Sequence, residues 1–308
     1  MIEIASNIAH ALQTGQPVVA LETSLIAHGL PYPTNFRVAM QCQEVIHQAG
    51  AYAATIGIVA GRPKIGLTEQ EIHAFANRTG VLKTSISNLA WVITRQAWGA
   101  TTVSATVRLA DRVGIKILAT GGIGGVHRDV QASFDISADL PILAETPMII
   151  VCSGAKSILD LPKTVEYLET AGVPIIGFRT EELPAFFSRS SGIVLDLHVS
   201  TTQEVIQLSR AHWSMGNRSA IVVAVPIPSE SEIPFREIEE ALTQALKKAK
   251  QAHIMGARLT PFLLSEIEHA TAGRSLDANV ALLLNNAHVA AELAKAWSEN
   301  IITAEPAS

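Results

Sequence analysis

Two titratable side chains follow apolar runs that read as buried strands. Glu22 comes directly after the run at residues 17–21, and Lys156 follows the run at 147–152 and three small residues. A glutamate in this position is a candidate proton donor, although it equally suits a cap on the next segment. A lysine there is a candidate nucleophile because desolvation lowers the pKa of its amine; taken alone, it also fits a surface lysine.

A glycine-rich stretch follows the apolar run at residues 115–120. It reads Gly-Gly-Ile-Gly-Gly-Val-His-Arg from Gly121 to Arg128. Four glycines in five positions let backbone N–H groups converge on an anion such as phosphate, and His127 and Arg128 add donors at the same place. The spacing matches neither a dinucleotide-binding fingerprint nor a P-loop. The alternative is a flexible turn that binds nothing.

Two carboxylates lie four positions apart, at Asp135 and Asp139. On a helix this spacing puts both on one face, where one would hold a hard cation and the other a sugar hydroxyl. The alternative is a helix N-terminus enriched in acids. A glutamate, lysines, an acidic pair and an anion-binding loop, mostly at strand ends, together indicate a sugar-phosphate enzyme that uses a covalent amine.

The elements that must position these residues alternate between strands and helices along the whole chain. The strands are apolar throughout, which is typical of a sheet covered on both faces. The alternation predicts an α/β fold, an α/β/α sandwich with a largely parallel or mixed central sheet, whose ligands bind beyond the carboxyl ends of the strands. No linker or repeat divides the chain, so we expect a single domain over residues 1–308, with only the last few residues (TAEPAS) frayed.

The periodicity also predicts where the elements lie. Thr68 and Glu71 form a capping box that opens a short helix. We expect strands at residues 17–23, 54–59, 115–120, 147–152, 173–178, 193–199 and 220–227, and helices over 32–50, 101–113, 163–171, 235–253, 261–270 and 275–298.

The composition is apolar and lightly charged: of 308 residues, 48% are hydrophobic and 17% charged, with a net charge of −5. This excludes disorder and suggests that some apolar surface is buried between subunits. The basic residues are scattered, so nucleic acid is not an expected partner. With no signal peptide and no apolar run long enough to span a bilayer, we expect a cytoplasmic protein without a membrane partner. Cys42 and Cys152 are expected to be buried free thiols.

Several stretches of the chain are long and distinctive. They read ALETSLIAHGLPYPTN, TIGIVAGRPKIGL, GATTVSATVRLA, ATGGIGGVHR, FDISADL, GAKSILDLPKTVEYLETAGVPIIGFRTEELPAFF, TPFLL and SLDANVALLLNNA. In these stretches the chain resembles the pseudouridine-5′-phosphate glycosidase family, and the match runs from about residue 10 to about residue 298.

The resemblance implies reversible cleavage of the C–C glycosidic bond of pseudouridine 5′-phosphate to uracil and ribose 5-phosphate, in a homotrimer with one Mn²⁺ per subunit. It implies that Lys156 is the nucleophile, forming an imine with ring-opened ribose, and that Glu22 is the proton donor. A C–C bond has no heteroatom leaving group to protonate, whereas an iminium accepts its electrons. Asp135 is implied as the metal ligand. The implied substrate-binding residues are Lys83, Val103, Ser137, Ala138, Asp139, Thr120, His127 and Asn279.

Two places depart from the family pattern. The chain has Ile86-Ser87-Asn88 where the family usually has Arg-Arg-Asp, and Val225 where we expect asparagine. The first change would loosen phosphate or metal-side contacts. The second would remove a uracil or ribose contact worth about 1–3 kcal/mol when buried. Two alternatives therefore stand: a related C-glycoside or sugar-phosphate enzyme with another base, and an inactive sugar-phosphate-binding homologue.

Overall fold

The structure, a computed structural model, describes residues 1–252, 254 and 259–302. The end expected to be frayed, residues 303–308, lies outside this part of the chain. Within it, no helix combines the length and the apolar character needed to cross a membrane.

One mixed sheet forms the centre of the molecule. Its strands are β1 (Glu3–Ile4), β2 (Val18–Leu21), β3 (Tyr52–Val59), β4 (Arg62–Ile65), β5 (Leu82–Thr84), β6 (Gly99–Thr101), β7 (Ile117–Ala119), β8 (Ile149–Cys152), β9 (Ile175–Phe178), β10 (His198–Val199) and β11 (Ile221–Ala224). Their order in space is β1-β4-β3-β2-β7-β8-β11-β9-β10, with β6 paired to β3 and β5 to β6. Pairing is parallel from β3 through β2 to β10, whereas β3 pairs antiparallel with β4 and β6.

Helices flank this sheet. They are α1 (Ser6–Gln13), α2 (Ser24–His28), α3 (Thr34–Gln48), α4 (Glu69–Asn77), α5 (Leu89–Thr94), α6 (Val103–Asp111), α7 (Val130–Ser133), α8 (Asp139–Glu145), α9 (Leu161–Thr170), α10 (Thr202–Ser214), α11 (Phe235–Gln251), α12 (Leu259–Ala270) and α13 (Arg274–Ile302). The long α13 packs on β2, β7 and β8 beside α3 and α10, whereas α6 contacts α8, β2 and β3. The predicted α/β architecture, with a mixed and mostly parallel sheet, is confirmed.

The central strands are apolar because helices cover them. Every residue of β8 (IIVC) and of β11 (IVVA) is buried. Burying one such side chain contributes about 1.5–3 kcal/mol, so these strands form a rigid base for the loops that follow them. The capping box is also confirmed: the Thr68 hydroxyl accepts the Glu71 N–H, and the Glu71 carboxylate accepts the Thr68 N–H.

Several predicted boundaries were displaced, including the strands expected over residues 17–23 and 220–227, which are β2 and β11. Three further differences are instructive. The helix expected from residue 101 begins at Val103, because Thr101 closes β6 and donates its N–H to the Thr23 hydroxyl. The strand expected over residues 193–199 shrinks to β10, because residues 193–195 bond to the 181–183 segment instead. Helix α11 ends at Gln251, and the expected last residue, His253, lies outside the described residues.

The segments that follow β7 and β8 stay hydrogen-bonded after both strands have ended. The Ser153 N–H donates to Gly121 O, the Ile123 N–H to Gly154 O, and the Lys156 N–H to Ile123 O. Gly154 adopts φ +83°, and a Cβ there would lie 2.3 Å from Pro184 O. Glycine is therefore required here both by the backbone angle and by the neighbouring backbone.

We expect Gly154→Ala to lower the free energy of unfolding more than Gly172→Ala does. Gly172 has φ +67° and nothing within 4 Å of an added Cβ, so its variant meets only the left-handed backbone penalty of about 1–2 kcal/mol. Gly154→Ala adds a clash with backbone, worth about 2 kcal/mol more. Urea denaturation at equal protein concentration measures both variants, and equal losses would contradict the required close approach.

Candidate active site

A cleft of about 620 Å³ opens beyond the carboxyl ends of β2, β7 and β8. The next strand along the chain, β3, lies on one side of β2, and β7 lies on the other, so the strand order reverses at β2. In α/β sheets, ligands bind at such a reversal, beyond the carboxyl ends of the strands. Five residues singled out from the sequence line it: Glu22, Lys83, Thr120, Lys156 and Asn279.

The carboxylate of Glu22 is buried and fixed by two hydroxyl groups. The Thr120 hydroxyl donates to Oε1 at 2.5 Å, and the Ser24 hydroxyl donates to Oε2. Residue Glu22 is 8% exposed, and Ser24, Thr120 and Lys156 line the cleft with it. A carboxyl group held in this way can exchange a proton with a ligand in the cleft. The sequence analysis missed Ser24, although its position two residues after Glu22 was a usable signal.

Two lysines face the same cleft. Lys83 comes from β5 and Lys156 from the segment after β8. Desolvation in the cleft and the positive charge of Lys156 lower the pKa of Lys83 below its ordinary value. Glu22, Asp139 and Asp135 oppose this shift with their negative charges. The cleft therefore disfavours two protonated amines at once.

His28, at the end of α2, lines the cleft and was not singled out from the sequence. Burial, with the charge of Lys83 as a second cause, lowers the pKa of His28 below its ordinary value. The imidazole is therefore neutral at pH 7, with one ring nitrogen that donates and one that accepts a hydrogen bond.

Asp135 and Asp139 do not share a helix face, so that prediction was wrong. Asp135 lies in the loop between α7 and α8, and Asp139 is the first residue of α8. The buried Asp139 carboxylate accepts the Ser104 N–H on Oδ1 and the Gly124 N–H on Oδ2, both at 2.8 Å. It thereby ties the start of α6 to the glycine-rich stretch. The short α7 ends just before Phe134, which has φ +53°, so no continuous helix runs from α7 into α8.

The other residues implied as substrate contacts are not among those that line the cleft. The Val103 side chain is fully buried in the apolar core, so only its backbone is available to a ligand. Ser137 and Ala138 precede Asp139 in the same loop, and the Ser137 N–H donates to Gly125 O. His127 lies beside Asp135, with Nε2 3.8 Å from Oδ2.

Close packing accounts for the glycines of the 121–125 stretch. A Cβ on Gly124 would lie 2.0 Å from the Ser137 hydroxyl, and one on Gly122 would lie 2.7 Å from the Phe186 ring. The Ile123 and Gly124 amides donate to other protein groups, whereas Gly121 and Gly122 line the cleft.

Arg128 does not add a free donor to the glycine-rich stretch. It forms a bidentate ion pair with Glu239 of α11, at 2.9 and 2.6 Å. The guanidinium is therefore already committed to a carboxylate, and the expectation that it helps to bind an anion was wrong.

Asp135 offers a carboxylate that a hard cation can use. Its side chain is 44% exposed, and Nε2 of the His127 ring lies 3.8 Å from its Oδ2. Among the residues that the structure describes, no group of three or more His, Cys, Asp or Glu side chains converges in a way that would hold a metal ion. A single carboxylate fits a cation such as Mg²⁺ or Mn²⁺ that takes its other ligands from water and phosphate.

The two departures from the family pattern have different surroundings. Val225 is 4% exposed in the main apolar core and does not line the cleft, so the expected loss of a ligand contact there was wrong. Asn88 supports the backbone of Lys83: its Oδ1 accepts the Ser85 N–H at 2.9 Å, and its Nδ2 donates to Lys83 O at 3.0 Å. An aspartate could supply only the first of these bonds.

The two cysteines are free and buried, as expected. Burial raises the pKa of both Cys42 and Cys152 to about 12. Both thiols therefore stay protonated and unreactive at neutral pH, and the chemistry of the cleft falls to its carboxyl and amino groups.

A mixed, mostly parallel sheet with a buried glutamate and two lysines in a cleft beyond its strand ends is the arrangement of an α/β enzyme. The model of the family described as indigoidine synthase A like protein matches residues 7–296. The chain belongs to this family.

Curated relatives cover nearly the whole chain. A protein of Petrotoga mobilis named pseudouridine-5′-phosphate glycosidase is 46% identical over 297 residues, which is 96% of this chain and 97% of that protein. A Clostridium botulinum protein of the same name is 46% identical over 294 residues, 95% of this chain and 96% of that protein. The resemblance drawn from the sequence motifs is confirmed.

Solved structures share the fold. The crystal structure of the prealnumycin C-glycosynthase in complex with ribulose 5-phosphate has a TM-score of 0.92 and 36% identity, and the match covers 98% of this chain and 99% of that one. An indigoidine synthase A-like protein of Thermotoga maritima has a TM-score of 0.88 and 37% identity, with 96% and 97% covered.

We expect Lys156→Met to raise the pKa of Lys83, because the variant removes a positive charge that disfavours the protonated form. Lys163→Met is the matched control, since Lys163 pairs with Asp160 outside the cleft. The pH dependence of Lys83 acylation, followed by mass spectrometry, reports this pKa. An unchanged pKa in Lys156→Met would show that the two amines do not interact.

Proposed function

We propose that this protein catalyses reversible cleavage of the C–C glycosidic bond of pseudouridine 5′-phosphate, giving uracil and ribose 5-phosphate. One observation carries the proposal: Lys156 and the hydroxyl-bound Glu22 line one cleft, beyond the ends of β8 and β2, which flank β7. Relatives with the name of this activity cover nearly all of the chain, and a neighbouring fold is a C-glycosynthase in complex with ribulose 5-phosphate.

In the first step the Lys156 amine attacks C1′ of the ribose. A C–N bond forms, the C1′–O4′ bond breaks, and O4′ takes a proton from Glu22. The amine then loses a proton to the Glu22 carboxylate, which is ready to act again. A single carboxyl group serves both transfers because it lies in the cleft with the amine, and the Thr120 and Ser24 hydroxyls hold its orientation.

In the second step the nitrogen lone pair forms a C1′=N bond while the C1′–C5 bond to uracil breaks. The electron pair goes to C5 of the base, and C5 takes the proton from Glu22. Water then hydrolyses the imine, which releases ribose 5-phosphate and regenerates the Lys156 amine. The nitrogen lone pair thus drives cleavage of a bond that has no heteroatom to protonate, and the base leaves with the electron pair, which an ordinary pair of carboxyl groups does not achieve.

The remaining residues have supporting roles in this proposal. Lys83, Thr120 and Asn279 contact the ligand directly, since all three line the cleft. The positive charge of Lys83 suits the phosphate group. Asp139 acts indirectly, through the two backbone N–H groups that donate hydrogen bonds to its carboxylate. Contacts from Val103, Ser137, Ala138 and His127 are proposed from the family resemblance, and the buried Val103 would contribute through its backbone.

We further propose Mn²⁺ as the cofactor, with Asp135 as its protein ligand. When bound, the cation neutralises phosphate charge. The negative charge of Asp135 acts to raise the pKa of Lys83. This interaction supports the proposal that a cation on Asp135 and the Lys83 amine bind the same phosphate group.

A homotrimer in the cytoplasm completes the proposal. The family resemblance supports the trimer, and so does the 17% content of charged residues. Tyr32, Trp91 and Phe134 are large apolar side chains exposed on this chain, and a contact between subunits would cover such surface.

We expect the wild-type protein to release uracil from pseudouridine 5′-phosphate in the presence of Mn²⁺, and Lys156→Ala to lower kcat by at least about 1,000-fold, because the nucleophile is lost. Lys163→Ala, the control outside the cleft, should keep wild-type activity. Borohydride with ribose 5-phosphate should trap the imine as a secondary amine on Lys156, mapped by mass spectrometry.

Each other result assigns a different function. Release of another base in place of uracil would support the related C-glycoside enzyme. Wild-type protein with neither turnover nor an adduct would support the inactive binding homologue. An adduct on Lys83 would transfer the role of nucleophile to that residue.

We expect Asp135→Asn to weaken Mn²⁺ binding by at least about tenfold. Mutation of a residue that only hydrogen-bonds to a metal ligand already lowers metal affinity by about 10–100-fold, and loss of the ligand itself should cost at least as much. Asp129→Asn is the control: this carboxylate is exposed nearby and caps no helix with its side chain. Titration of Mn²⁺ followed by electron paramagnetic resonance measures binding without reference to activity. Equal affinity in both variants would remove Asp135 from the metal site.

A further inference from the structure

One buried amide contacts the segment that carries Lys156 and the segment whose Thr120 hydroxyl binds Glu22. Asn286 of α13 is fully buried. Its Nδ2 donates to Thr120 O at 2.9 Å, and the Ser153 hydroxyl lies 3.1 Å from Nδ2 and 3.3 Å from Oδ1. Thr120 follows β7 and Ser153 follows β8, so a single side chain joins the carboxyl ends of two neighbouring strands.

Each contacted residue is closely linked to one reacting group. The Thr120 hydroxyl donates to the Glu22 carboxylate. Ser153 begins the segment that contains Lys156, and its N–H donates to Gly121 O at 2.9 Å. Asn286 does not line the cleft. It is therefore placed to set the distance between proton donor and nucleophile without touching a ligand.

The apolar surroundings of Asn286 make the loss of these hydrogen bonds costly. It lies among apolar core residues of the same helix, including Leu282, Leu283 and Ala290. A buried amide that loses its partners costs about 1–3 kcal/mol, so strand ends that moved away would leave the amide unpaired. The resulting constraint acts on both strand ends at once.

We propose that Asn286 is a positioning residue that holds the Thr120–Glu22 pair and the Lys156 segment at their reactive separation. This inference rests on the proposed function for its kinetic consequence only. The link between the two segments is a property of the fold and is measurable without any substrate.

The neighbouring Asn285 provides a matched control. Its Nδ2 donates to Pro226 O at 3.3 Å, beyond β11, and it contacts neither Thr120 nor Ser153. Asn285→Ala therefore removes an asparagine from the same turn of α13 and leaves the catalytic strand ends alone. The test variants are Asn286→Ala, which removes all contacts, and Asn286→Asp, which keeps the size but cannot donate to Thr120 O.

We expect both Asn286 variants to lower kcat for uracil release by at least about tenfold, because small misplacements of reacting groups are costly. The KM for pseudouridine 5′-phosphate should stay within about threefold, since the residue lies outside the cleft lining, and Asn285→Ala should resemble wild type in both constants. Rates are taken per folded molecule, well below the unfolding midpoint of each variant.

Hydrogen exchange tests the link directly. Amide protons in residues 117–126 and 149–156 should exchange faster in the Asn286 variants than in Asn285→Ala, with other segments unchanged. If wild type releases no uracil, the proposed function fails and this measurement still decides the link. Exchange equal to that of Asn285→Ala, or a lowered unfolding midpoint with unchanged kcat, would overturn the positioning role.

Discussion

The close approach of two backbones beyond the ends of β7 and β8 is the constraint on which the site depends. Side chains would disturb it, because a Cβ on Gly122 would lie 3.1 Å from Gly154 O, and one on Gly154 would lie 2.3 Å from Pro184 O on its other side. With glycine at these positions, the hydrogen bonds between the strands continue into the loops and fix the start of the Lys156 segment. The glycines at 121–125 resemble an anion-binding motif in the sequence, but in the structure they are required by the close packing of the loops.

The second constraint is the balance of charge in the cleft. Lys83 and Lys156 repel each other, and three carboxylates counter this repulsion: Glu22, Asp135 and Asp139. Desolvation, the first cause, adds to this repulsion, and together they hold the pKa of Lys83 below its ordinary value. Arg128 takes no part because Glu239 holds it, which leaves fewer fixed positive charges around the ligand.

Much of this arrangement could be predicted from the sequence, and the reason is local. Apolar strands identify themselves, and residues directly after parallel strands must meet at one edge, so Glu22 and Lys156 were found. The role of Asp139 was not predictable, since its partners at Ser104 and Gly124 come from distant segments that only packing brings together. Asn286 left a weak signal, a polar residue within the apolar face of a helix. The spacing of Asp135 and Asp139 misled because α8 begins only at Asp139, which leaves Asp135 in the loop before the helix.

The bond between Asn286 and Thr120 joins residues 166 positions apart. Glu22 directly follows β2, near the start of the chain, whereas Asn286 and Asn279 belong to α13, near the end of the described residues. A ribosome must therefore release almost the whole polypeptide before the site can assemble, and contacts of such long range form slowly. A truncated chain that lacks α13 would therefore contain Lys156 without the cleft that surrounds it in the folded protein.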